Sequence, residues 1–346
     1  MRLIGYRDEL DLPTVGVIRG DRVVGLAALV EARLLAEELR WLDLGGLLEA
    51  DPDLAQVREA AGAIDSRLGR NGSSGPFAEL DLADVRPTPA VARPAKIVCV
   101  GHNYRAHVLE QGAPLPDRPL LFSKFANALV ADGEPVIRPA GTHALDLEAE
   151  LAFVIGRSAR RVPAADAWSH VAGYVALNDV SARDWQGNKV ALAPGEHGDG
   201  QWLRAKGSDT FCPMSATFVT ADEIGRDPAL PVRSWRVPAA GPDAGRPVAM
   251  QDALSSDLIF DIPALVEFIS SVITLEPGDI VATGTPSGVG VFRETPVYLE
   301  PGDVARVEVE GVGSVESPIV DADGTAPAGS PAERLLSRRG RTETRA

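Results

Sequence analysis

Hydrophobic and polar positions change period several times along the chain. Residues 14–18 and 22–26 are short β-like runs divided by the turn pair Gly20-Asp21, and residues 34–48 and 54–68 carry apolar side chains at helical spacing. Residues 71–76 read as a loop, and the prolines Pro87, Pro89 and Pro94 make residues 86–94 a connector that can continue neither a helix nor a central strand. From residue 96 to about 320 apolar β-like runs dominate, punctuated by Glu276-Pro277-Gly278-Asp279, Glu300-Pro301-Gly302-Asp303 and Glu310-Gly311-Val312-Gly313. After Asp321 the composition falls to Ala, Gly, Ser, Thr and Pro, followed by several arginines. The pattern predicts a small accessory α/β domain over 1–85, a linker over 86–95, a mainly β domain over 96–320 and a disordered tail over 321–346.

Residues 145–155 are the most informative stretch. Odd positions are apolar throughout, whereas even positions carry Asp146, Glu148 and Glu150 before turning apolar at Ala152 and Val154. Side chains alternate between the faces of a strand, so the acids share one face with greasy residues further along it. Carboxylates beside buried surface lose hydration and repel one another unless something positive lies between them. A lone Glu-x-Glu is more simply a solvated strand end. A second apolar strand, however, ends at Asn178-Asp179, where strand-end side chains commonly reach a site. Glu148, Glu150 and Asp179 would together form an all-oxygen ligand set for a hard divalent cation, Mg²⁺ before Ca²⁺, with Mn²⁺ as a substitute.

Composition narrows the function classes. Of 346 residues, 49 are Asp or Glu and 34 are Lys or Arg, a formal net charge of −15, which disfavours a nucleic-acid partner. No apolar run approaches a membrane span, and the first residues carry Asp8, Glu9 and Asp11 where a signal peptide would be basic and then apolar. A soluble, cytoplasmic protein without a membrane partner is expected. The two cysteines, Cys99 and Cys212, are too few for a disulfide framework or a cysteine zinc site and read as reduced packing residues.

Residues 103–111 predict a short helix ended by Gly112 and Pro114. His107 and Glu110, three apart, are neighbours on one face of it, where a carboxylate orients an imidazole and raises its basicity. Such pairs are also common on plain surfaces, so spacing alone leaves both readings open. His102, His143, His170 and His197 read as ordinary histidines, and Trp185 and Trp202 as core aromatics. Thr283-Gly284-Thr285-Pro286-Ser287-Gly288-Val289-Gly290 lacks the Gly-Lys-Ser/Thr of a phosphate loop and reads as a tight turn at a pocket wall.

Several segments, in order, resemble the fumarylacetoacetate hydrolase family in its short bacterial form. They are Lys96 through Glu110, Leu121-Phe122-Ser123-Lys124, the acidic strand, Asn178 through Gln186, Gln201 through Thr210, Glu276 through Gly290, and the turns at Pro301-Gly302-Asp303 and Glu310-Gly311-Val312-Gly313. The resemblance implies an α+β, mainly β fold of mixed β-roll/sandwich type. It implies that Glu148, Glu150 and Asp179 bind Mg²⁺, that His107 and Glu110 form an acid–base dyad, and that Lys206 is the active-site lysine. It further assigns Arg183, Gln186 and Thr285, with Lys124, to the substrate's carboxylate and oxo groups. His102 stands where Leu or Arg is commoner in that family and Ser287 where Ala is common, departures that bear on the pocket wall. The expected enzyme is a Mg²⁺-dependent homodimer acting on a small 2-oxo or 2,4-dioxo acid. The leading expectation is a hydrolase of a carbon–carbon bond, the alternative an isomerase, tautomerase or decarboxylase on the same site.

Overall fold

The structure is a computed structural model and describes residues 1–71, 79–198, 200–226 and 228–343. Most of the loop expected at 71–76 lies outside the described residues. The fold is mixed α+β and mainly sheet, as the alternation predicts.

A ten-stranded sheet forms the frame. In spatial order its strands are Glu79–Asp81, Arg22–Gly25, Pro13–Arg19, Arg2–Arg7, Thr217–Thr220, Val171–Asn178, Ala149–Ile155, Ile280–Ala282, Ile97–Gly101 and Leu120–Lys124. Neighbours are antiparallel except Ile280–Ala282 against Ile97–Gly101. A five-stranded sheet, Val248–Leu254, Pro231–Val237, Val304–Val309, Gly313–Val320 and Val136–Ile137, packs on one face of it.

All seven residues of Ala149–Ile155 are buried, because apolar layers cover both faces. Ala149, Leu151, Phe153 and Ile155 join a core with Val232, Val307 and Val315 of the second sheet and with Leu265 and Ile269 of the helix Ile262–Ser270. Ala152 and Val154 face the other core, built with Leu26, Leu29, Leu44 and Leu47 from the N-terminal region. The even face of this strand, which carries Glu150, therefore turns toward the core that the N-terminal region shares, and Leu145 and Leu147 before it enter the same core.

That placement changes the expected organisation at both ends. The N-terminal strands do not form a sheet of their own: Arg2 pairs with Val219 and Leu3 with Phe218, which extends the main sheet. Short strands seldom stand alone, and the edge at Thr217–Thr220 supplies the partner. The proline-rich connector docks rather than hangs free, with Thr88 N donating to Gly5 O at 3.0 Å and Ala90 N to Ser215 O at 3.1 Å. The tail, expected to be disordered, forms a helix over Pro331–Glu343. Ser330 Oγ accepts from Glu333 N at 3.1 Å, proline occupies the first helical position, and Ala332 is buried with its N–H on Gly302 O at 3.0 Å. Composition suggested disorder; the local Ser-Pro-Ala-Glu start signal and one small buried side chain outweigh it.

Candidate active site

The helical and strand ends that carry the chemistry converge at the C-terminal end of Val171–Asn178. Ala149 pairs with Asn178, Glu148 N donates to Asn178 Oδ1 at 2.9 Å, and Asp179 N donates to Glu148 O at 2.9 Å. This cross-strand lock brings Glu148, Glu150 and Asp179 together, all buried, with one carboxylate oxygen of each within 4.8 Å of the others. Glu150 Oε2 accepts from Gly284 N at 2.9 Å, where the glycine-rich turn passes.

Three cations surround the acids. Lys206 Nζ donates to Glu148 Oε2 at 2.5 Å and to Asp179 Oδ2 at 2.7 Å. Lys124 Nζ lies 2.7 Å from Asp179 Oδ1, and Arg183 Nη2 lies 2.6 Å from Glu148 Oε1. Arg183 Nε also donates to Asp146 Oδ2 at 2.9 Å, while Asp146 Oδ1 accepts from Gly290 N at 2.9 Å. Asp146 thus ties the acidic segment to the turn that closes the site.

The electrostatics split the two glutamates. Burial alone would raise the Glu148 carboxyl, but the charges of Arg183 and Lys206 outweigh it and hold Glu148 below the ordinary carboxylate range. Burial raises Glu150 well above that range, and the negative charges of Asp179 and Glu148 add to it. Burial opposes the charge on Lys206, yet Asp179 and Glu148 keep its ammonium above the usual lysine value. An oxygen-only set of three buried carboxylates, one of them destabilised by the other two, suits a divalent cation in its midst. The donor chemistry therefore fits such an ion.

His107 sits on the helix Arg105–Glu110, as the spacing predicts. Its Nδ1 lies 2.6 Å from Glu110 Oε1, and Glu110 Oε2 accepts from Gly288 N at 3.0 Å. A carboxylate accepts the Nδ1 hydrogen, which leaves the Nε2 lone pair for a substrate or a water. The Phe292 ring meets the imidazole edge-on with centroids 5.8 Å apart.

Both groups open into one cavity of about 280 Å³. Of the expected site residues, Glu148, Glu150, Asp179, His107, Lys206, Arg183, Gln186 and Thr285 line it, and Glu110 stands behind His107. Lys124 is not brought to the cavity. It is buried beneath it, with its ammonium on the carbonyl oxygens of Val180, Lys206 and Phe211 and against Asp179. A lysine whose three N–H groups are on backbone carbonyls has no donor left for a ligand, so Lys124 braces the end of the helix Trp202–Gly207 and sets its charge against Asp179.

His102, an ordinary histidine by composition but a pocket-wall departure within the family pattern, lines the cavity with φ +55°, its ring 6.4 Å from that of His107. Burial and the neighbouring His107 lower its pKa. Other lining residues escaped the sequence reading. Phe122, Trp202 and Phe292 form an aromatic wall, so Trp202 belongs to the pocket rather than to the core. Gln111 lies four residues after His107 on the same helix face and could have been found by that spacing; nothing in the sequence marks Phe292. Cys99 and Cys212 are free and buried, as expected. A larger groove of about 1240 Å³ between the N-terminal strands and the Glu310–Gly313 turn region holds none of these groups. Among the described residues no helix is long and apolar enough to cross a membrane.

Comparison with known proteins places the chain in a family. The fumarylacetoacetate (FAA) hydrolase C-terminal family matches residues 96–320. Oxaloacetate tautomerase fahd2, mitochondrial, of Xenopus laevis is 41% identical over 241 residues, 70% of this chain and 70% of that protein. The crystal structure of 2-hydroxyhepta-2,4-diene-1,7-dioate isomerase from Mycobacterium marinum aligns over 93% of this chain and 98% of its own, at 31% identity and a TM-score of 0.63. Maleylpyruvate hydrolase from Sphingobium sp. SYK-6, solved in complex with manganese(II) ion and pyruvate, covers 93% of this chain and 99% of its own, at 31% identity and a TM-score of 0.67. The family match over residues 96–320, with relatives at this identity and coverage, establishes that the chain belongs to the fumarylacetoacetate hydrolase family.

Proposed function

We propose that the protein is a Mg²⁺-dependent hydrolase that cleaves the carbon–carbon bond of a small 2,4-dioxo acid. Glu148, Glu150 and Asp179 would hold the ion. When bound, it supplies a Lewis acid for the 2-oxo and carboxylate oxygens of the substrate. The observation that carries the reading is the opening of a carboxylate triad and a carboxylate-oriented imidazole into the same 280 Å³ cavity. Simple binding of a metabolite would need no such base.

The chain's own groups then divide the work. His107, held by Glu110, takes a proton from water at Nε2 as the oxygen adds to the distal carbonyl. Lys206 has two of its three N–H donors on Glu148 and Asp179; the third is available to an oxygen that gains negative charge. Arg183 is tied to Asp146 and Glu148 and presents a fixed positive edge to the ligand's acid end. The Phe122, Trp202 and Phe292 wall accepts the less polar end and limits its size. The products are a carboxylic acid and a 2-oxo acid, with the water's hydroxyl on the first and its proton on the carbon of the second. Mg²⁺ as the ion and a homodimer as the assembly are parts of the same proposal.

One observation favours a second reading. The Xenopus relative is named an oxaloacetate tautomerase, and moving a proton between carbon and oxygen uses the same metal-binding acids and the same imidazole. Incubation with acylpyruvates, oxaloacetate and hydroxymuconate-type acids in the presence of Mg²⁺, followed by NMR of the products, separates the two. Hydrolysis yields two fragments, the carboxylic acid with the solvent oxygen and the 2-oxo acid with a solvent proton on carbon, tautomerisation conserves the carbon skeleton, and decarboxylation releases CO₂. An intact skeleton with every acid would overturn the hydrolase reading.

A further inference from the structure

Gln251, on the strand Val248–Leu254, is buried and uses every hydrogen-bonding position of its amide. Its Oε1 accepts from Ala149 N at 2.9 Å and from Ser234 Oγ at 2.7 Å. Its Nε2 donates to Pro286 O at 2.8 Å and to Thr285 Oγ1 at 2.7 Å. A backbone N–H can only donate and a backbone carbonyl can only accept. Ala149 N and Pro286 O therefore each fix the orientation of the amide independently, and the group facing Thr285 must be the NH₂.

The consequence passes to the threonine. A hydroxyl has one hydrogen to give and two lone pairs. Thr285 Oγ1 accepts from Gln251 and lies 3.0 Å from Ala149 O, to which it donates. Turning that hydrogen toward the cavity would leave a buried carbonyl without that hydrogen bond, which is unfavourable. One lone pair of Oγ1 remains, on a residue that lines the cavity. Thr285 lies one residue after Gly284, whose N–H is on Glu150, and three before Gly288, whose N–H is on Glu110. It therefore stands between the acid cluster and the His107–Glu110 pair.

We propose that Gln251 is a positioning residue that makes Thr285 an acceptor-only group toward the cavity, so that whatever lies there must present an O–H. This differs from a role for the Thr285 side chain in holding a carboxylate or oxo oxygen, which would need a donor. Two species carry the required O–H: the water that His107 deprotonates, and the hydroxyl of an enol. The acceptor polarity follows from the hydrogen-bond chain alone. The choice of water rests on the hydrolase reading.

Neutron diffraction from crystals of the deuterated protein reads the polarity without activity. The expected result is a deuteron on Thr285 Oγ1 directed at Ala149 O and two deuterons on Gln251 Nε2; a deuteron directed into the cavity overturns the proposal. Kinetics read its use. Thr285→Val, of nearly the same shape, is expected to lower kcat on the order of tenfold to a hundredfold with little change in KM, and Thr285→Ser to recover most of that loss. Gln251→Met, with its fold checked by melting temperature, is expected to lower kcat less, and to have no further effect in the Thr285→Val background. Additive losses in the double variant, or a Thr285→Val enzyme within about threefold of the parent kcat, overturn the proposal. Loss in hydrolysis identifies water as the donor, whereas loss confined to tautomerisation identifies the enol. If the parent enzyme hydrolyses none of the acids, the proposed function fails while the deuteron positions still decide this inference.

Discussion

Glu150 is packed against two other buried carboxylates with a single backbone N–H on its oxygen, and its affinity for a proton is raised accordingly. A divalent ion must displace that proton. Metal affinity is therefore expected to rise with pH through and above the ordinary carboxylate range, by at most about tenfold per unit, and to level off once Glu150 is ionised. Calorimetric Mg²⁺ titrations at several pH values, in buffers of differing ionisation enthalpy, check both the slope and the released proton. His107 belongs to a different part of the chemistry. His107→Ala is expected to lose kcat by about 10² or more while keeping its affinity for Mg²⁺ and for oxalate; equal loss of binding and turnover would argue for a structural role. At this scale a period of two in a strand drew attention to Glu148 and Glu150, and a spacing of three in a helix to His107 and Glu110, but each spacing fitted a plain surface equally well and only the family resemblance gave these residues roles. Gln251 was not legible: its position depends on a strand from the second sheet, which leaves no periodic trace.

The elements behind the site show where composition misleads. The acidic segment was read as one strand; it consists of Leu145–Asp146 and Ala149–Ile155, with Leu147 and Glu148 between them. The break lets Glu148 N reach Asn178 Oδ1. The alternation holds only from residue 149 onward: Ala152 and Val154 enter the core shared with the N-terminal leucines, but so do the odd residues Leu145 and Leu147, so the break at 147–148 exchanges the faces. The C-terminal helix Pro331–Glu343 is the opposite case. Its residues looked too polar and small to order themselves, yet Gly302 at φ +101° brings its backbone against Ser330 and Pro327, and Ala332 fills the space beside it. Removing residues 324–346 is expected to cost about 1–2 kcal/mol, a drop of a few degrees in melting temperature, with kcat unchanged because the helix lies outside the cavity. Differential scanning calorimetry of the truncated chain checks this, and an unchanged transition would show that the helix is not docked.

On the scale of the whole molecule, the ten-stranded sheet makes the N-terminal region continuous with the strands that carry the site, while the residues lining the cavity lie between Val100 and Phe292. The division at residues 86–95 was legible as a proline-rich change of pattern, but its meaning was not, because pairing between Arg2–Arg7 and Thr217–Thr220 spans more than two hundred residues. The sheet delivers buried acids, a buried lysine and an oriented imidazole to one small cavity, an arrangement suited to an anion that chelates a metal ion. Oxalate is a planar dianion with two adjacent oxygens that imitate the chelating end of a 2-oxo acid in its enolised form. Calorimetric titration of oxalate into the protein with Mg²⁺, and again with excess chelator, tests the central claim most directly. The account predicts binding with the metal present, tighter than that of pyruvate, and none after chelation; equal binding in both conditions, or none at millimolar oxalate with Mg²⁺ present, would contradict it.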